Sequence, residues 1–131
     1  MRVPDSWRKL LDFIEENRKR PREYGVWDCW QFTGAGVLIQ TGVDYRLQFP
    51  RYSTVEEGAR ILASNGGAES MMRQMFGEPK HVAFAQRGDV VIADLDEGLA
   101  GGICLGVETA TVSPEGIERY PTLSGVLAWT I

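Results

Sequence analysis

The chain has 131 residues, 44% of them hydrophobic and 24% charged, which suits one soluble domain whose core needs neither disulfides nor a structural metal. A net charge of −4 excludes a protein that grips nucleic acid non-specifically through a basic surface. Two cysteines and one histidine are too few for a zinc or iron–sulfur site, so no cofactor or metal is expected, and no apolar run reaches the ~20 residues of a membrane span.

The first predicted element is an amphipathic helix from Asp5 to Asn17. Trp7, Leu10, Leu11 and Ile14 recur at helical spacing and form its apolar stripe, Asp5 or Ser6 caps it, and Pro21 lies beyond its end. The basic run Arg18-Lys19-Arg20 with Arg22 reads as a solvated helix end. The stretch Tyr24 to Cys29 then leads into a helix over Trp30 to Gln40. Asp28 is its N-cap and Gly42 its C′ residue. Gly34 and Gly36 weaken that helix by about 1 kcal/mol each relative to alanine, so close approach of another element is expected there.

Gly42 to Tyr52 reads as an ordered connection. A third helix starts at Ser53 or Thr54, where Ser53/Glu56 and Thr54/Glu57 both have capping-box spacing. Val55, Ala59, Ile61 and Leu62 should give it a buried face, and Asn65-Gly66-Gly67 ends it. A fourth, short helix, Ala68 to Phe76, carries Met71, Met72 and Met75, which serve either as irregular core filler or as an adaptable contact surface.

Beyond His81 the pattern becomes period two. Strands are expected at Asp89–Ala93, Gly102–Val107, Ala110–Ser113, Ile117–Tyr120 and Val126–Ile131, with Ser113 to Gly116 turning a hairpin. The acidic segment 94–99 reads as a solvated loop without the ligand spacing of a calcium site. Helices followed by short strands imply an α+β fold, the helices packed on a small, barrel-like, antiparallel five-stranded sheet.

A cysteine at a helix N-terminus lies where unpaired backbone N–H groups and the macrodipole favour the thiolate. Cys29 is therefore a candidate nucleophile; the alternative is a small buried hydrophobe at a tight helix–sheet contact. An aromatic-Gly segment, Asp28-Cys29 opening a helix, Arg87-Gly88-Asp89-Val90-Val91-Ile92 and Gly102-Ile103-Cys104-Leu105-Gly106 follow in order. This order resembles the NlpC-type papain-like cysteine peptidases, which cut peptide bonds in bacterial cell walls. The resemblance is nearest to a phage and prophage tail-associated branch, through Trp27-Asp28-Cys29, Thr41 to Asp44 and Arg51 to Thr54.

The resemblance puts Cys29 at the nucleophile position, Tyr24 at the preceding aromatic, and Ala100 or Gly101 where the family has its catalytic histidine. Neither can accept a proton. His81, the one histidine, is the remaining candidate base if the protein is active, and otherwise a surface residue. Two functions are thus expected. One is a catalytically degenerate structural or assembly protein of a phage tail tip or baseplate, whose partners are the tail hub, distal tail or tip proteins. The other is an active Cys29 hydrolase opening bacterial peptidoglycan. The N-terminus has no apolar signal core, so synthesis in the host cytoplasm and residence in the virion tail are expected. If Cys104 faces the Cys29 helix, both thiols share one cavity.

Overall fold

A computed structural model describes residues 1–131. Helix α1 (Ser6–Glu16) buries Leu10 and Ile14, with Trp7 and Phe13 half-buried beside them, whereas Leu11 falls outside the stripe and is exposed. Neither expected cap works through its side chain. Asp5 instead takes a left-handed backbone conformation, φ 59°, and its carboxylate reaches Arg8 at 3.5 Å.

Helix α2 (Cys29–Thr41) starts and stops as its sequence dictates. Asp28 Oδ1 accepts from the Gln31 N–H at 2.8 Å, and Gly42 closes the helix in the left-handed region, φ 79°. Its two internal glycines have the expected reason. A Cβ on Gly36 would lie 3.1 Å from Ile103 Cγ1 and 3.5 Å from Leu10 Cδ1, so only glycine lets α1, α2 and the sheet meet this closely. Gly34 lies under the aliphatic stem of Arg46, whose guanidinium holds Asp44 at 2.8 Å and pulls its carboxyl below the usual range.

The five strands are β1 (Val90–Leu95), β2 (Gly98–Cys104), β3 (Glu108–Ser113), β4 (Gly116–Pro121) and β5 (Leu127–Trp129). They form one antiparallel sheet in the order β4-β3-β2-β1-β5. The sheet is open, not barrel-like. β5 pairs only with β1, and on the outer edge of β4 the Ile117 N–H bonds the Arg18 carbonyl at 2.9 Å rather than another strand. Segment 94–99 is not a loop, because pairing continues to Leu95↔Gly98 and only Asp96-Glu97 turn the hairpin. The second strand correspondingly ends at Cys104, since Leu105 to Val107 turn through Gly106, φ 118°, into β3. The turn from Ser113 to Gly116 forms as expected, with Ser113 Oγ donating to the Gly116 carbonyl at 2.7 Å.

Alternation divides the sheet into two faces. Val90, Ile92, Ile103, Ala110, Val112 and Trp129 pack with α1 and α2 in the main core. Val91, Cys104 and Ala128 point the other way and are covered by Val82 of a short 3-10 turn (Val82–Phe84). A buried carboxylate ties the ends together. Asp89 receives Arg2 at 3.0 Å, Lys80 at 2.7 Å and the Gln86 N–H at 2.8 Å.

Helix α3 (Val55–Ser64) is capped by Thr54, whose Oγ1 accepts from the Glu57 N–H at 3.1 Å. Its expected buried face is not buried: no residue of α3 is, and Val55 remains 52% exposed. Helix α4 (Ala68–Phe76) buries Met72 and leans Met75 and Phe76 on the core, Phe76 against Tyr45 with ring centroids 5.0 Å apart. No helix is long and apolar enough to cross a membrane.

Candidate functional site

The N-terminus of α2 opens on a groove of about 690 Å³, a size usual for ligand sites. Cys29, Trp30 and Thr33 line its floor, α3 and α4 one wall, and the β1–β2 hairpin the other. Asp28 holds this end rigid. Besides Gln31, its carboxylate accepts the Gly25 N–H at 3.0 Å and the Tyr52 hydroxyl at 2.5 Å. Burial, and then the Asp28 charge to which it donates, push the Tyr52 phenol well above its usual range. A second clamp crosses the groove mouth. Arg22 meets both oxygens of Glu97 at 2.5 and 3.2 Å and lies 4.9 Å from the Tyr24 ring centroid. The pair holds Glu97 below the usual carboxyl range.

The Cys29 thiol is pushed up to about 11, against an ordinary value near 9.0. Burial is the main cause. The backbone N–H of Gly101 opposes it, and the Asp28 carboxylate next in sequence adds to it. The expected thiolate-favouring helix start is thus outweighed: a desolvated sulfur beside a negative charge keeps its proton at neutral pH.

The position at which the resemblance expects a histidine carries no base and leaves no room for one. Gly101 stands on β2 opposite Ile92, facing α2. A Cβ there would meet Thr33 Oγ1 at 2.9 Å and the Trp30 ring at 3.3 Å, so an imidazole at this point would displace Trp30. Its neighbour Ala100 lines the groove without a titratable group.

Among the residues singled out from sequence, Cys29 and Tyr24 come together on the groove. His81 does not join them. It sits exposed beside Lys80, whose backbone pairs with Ala128 of β5, and its Nδ1 accepts from the Ala83 N–H at 3.0 Å. Cys104 does not face the Cys29 helix; it is buried on the opposite sheet face. The shared-cavity expectation fails because Cys104 alternates with Ile103, and Ile103 takes the α2 side. Sequence reading missed Tyr52 as the partner of Asp28 and Trp30 with Thr33 as the fill beside Gly101. Only Tyr52 left a signal, within the Arg51 to Thr54 segment.

Residues 1–131 match the model of the family described as a domain of unknown function, DUF6950, so the chain belongs to that family along its whole length. No curated protein matches it.

Proposed function

We propose that this protein is a non-catalytic structural or assembly component, built on a degenerate NlpC-type fold, of a phage tail tip or baseplate. The observation that carries the proposal is the occupied space beside Gly101, the position the resemblance gives to a base, where Trp30 with Thr33 fills the volume. Cysteine peptidases need a group that takes the thiol proton and returns it to the leaving amine. Here the thiol holds its proton, and the one histidine caps a turn beside the β5 edge. A fold can outlast its chemistry and serve as a contact module.

The tail setting rests on the ordered motifs Trp27 to Cys29, Thr41 to Asp44 and Arg51 to Thr54. Its partners are then other tail proteins, and the protein is made in the host cytoplasm and carried in the virion. Mass spectrometry of purified particles should find the chain, and it should co-purify with a tail hub or tip protein. Its absence from particles together with a monomeric state beside every tail protein sinks the proposal. Departure from the particle with co-purification beforehand identifies a cytoplasmic assembly factor instead.

One observation favours a second reading, an active cysteine hydrolase acting on peptidoglycan: Cys29 and Tyr24 lie on an open groove able to admit a peptide. That reading requires cell-wall peptide cleavage by the wild type and its loss in Cys29→Ala.

A further inference from the structure

Helix α3 carries an apolar stripe that the chain leaves largely uncovered, Val55 and Ala59 exposed and Leu62 half-buried. Val55, Ala59 and Leu62 recur at i, i+4 and i+7, so they share one face, and that face lines the groove. At ten residues the helix is about 15 Å long, enough to seat a second helical segment ridge against groove. Met71 and Met75 of α4 continue the same wall with unbranched side chains that adapt to what they meet.

The charges of the groove complete the description of its occupant. Both lining arginines are neutralised, Arg22 by Glu97 and Arg46 by Asp44. Asp28 already accepts three hydrogen bonds. Asp94, Asp96 and Glu118 remain, all on the sheet side of the groove and none in an ion pair within 4.0 Å. The site therefore offers apolar surface on its helical wall and unbalanced negative charge on the opposite rim.

We propose that this groove docks an amphipathic polypeptide segment of a partner protein, apolar on one face with Lys or Arg along its edge. The inference rests on the non-catalytic reading above, since the segment is held and not cut. Its apolar residues would cover Val55, Ala59 and Leu62 while its cations face Asp94, Asp96 and Glu118.

The test uses the full-length protein, isotope-labelled, with a short amphipathic helical peptide of leucines and lysines, and a counterpart in which every lysine is glutamate. Amide shifts in α3 and α4 and a shift of the Trp30 indole are expected with the lysine peptide and not with the glutamate peptide. Replacing Asp94, Asp96 and Glu118 by their amides should weaken binding about tenfold, the usual sum of a few exposed charge pairs, and added salt should act likewise. Val55→Glu, on an already exposed position, should also weaken it without altering the fold. Equal binding of both peptides, shifts outside the groove, no binding, or self-association through α3 in place of peptide binding would each overturn the docking proposal. Mass spectrometry of the peptide keeps the two ideas apart. An intact, bound peptide supports both, a peptide bound and then cleaved in a Cys29-dependent manner removes the non-catalytic reading and with it the claim that the segment is held, and an unbound, uncleaved peptide removes only the docking.

Discussion

Alkylation of Cys29 offers the most direct check on the chemistry of the groove. With its thiol near 11 and an ordinary cysteine near 9.0, the thiolate fraction at pH 7.5 is about 3 × 10⁻⁴ against about 3 × 10⁻². The thiolate population is thus down about a hundredfold. A more basic thiolate is also more nucleophilic, and a Brønsted slope of about 0.4–0.5 recovers roughly tenfold. Population wins, leaving Cys29 about tenfold slower than free cysteine before any steric hindrance. The assay is the pseudo-first-order rate of iodoacetamide labelling, located by peptide mass spectrometry in a Cys104→Ala background. Cys104, at 0% exposure, should stay unlabelled in the wild type. The rate at Cys29 should rise about tenfold per pH unit from pH 7 to beyond 9. Labelling faster than free cysteine, with a plateau below pH 7, would show a stabilised thiolate. It would refute the claim that burial and Asp28 dominate the helix start, and would revive the hydrolase reading.

The same group gives a pH dependence of stability. The folded state raises the Cys29 pKa, so its contribution is complete below the unfolded value near 9.0 and is lost as pH rises towards about 11; the loss is about 3 kcal/mol, visible as a steeper alkaline fall in the urea midpoint of the wild type than of Cys29→Ala. Asp28→Ala removes a helix cap and strands the Tyr52 hydroxyl and the Gly25 N–H, which should cost about 2–4 kcal/mol in denaturant unfolding, with Tyr52→Phe costing about half as much. Gly36→Ala gains about 1 kcal/mol of helix propensity but presses on Ile103 at 3.1 Å; overpacking of about 1–3 kcal/mol should prevail, and a double-mutant cycle with Ile103→Ala should show relief. Asp89→Ala leaves Arg2, Lys80 and the Gln86 N–H without their shared acceptor and should lower stability by about 3 kcal/mol, measured by chemical denaturation.

Local chemistry was legible residue by residue. Asp28 and Gly42 bracket α2, Thr54 and Glu57 start α3, and the turn from Ser113 to Gly116 joins β3 to β4, because caps and turns depend on groups within a few residues of each other. The glycines of α2 were readable for the same reason: a costly residue inside a helix implies a close neighbour, and Ile103 and Arg46 are those neighbours. The α+β class and its five antiparallel strands followed from periodicity.

What the sequence could not supply were quantities set by long-range placement. Whether the sheet closes depends on the partners of its outer strands, and β4 meets Arg18 there. Periodicity showed that Val55, Ala59 and Leu62 share a face of α3, but only packing decided that the face lines an open groove and not the core. Asp28-Cys29 at a helix start fixed where the thiol lies along the chain, whereas desolvation, the nearby Asp28 charge and the Gly101 amide fixed its protonation. That no histidine stands near Gly101 in sequence was legible; that Trp30 and Thr33 fill the space beside Gly101 was decided by the meeting of α2 and β2, since volume belongs to the assembled core and to no single segment.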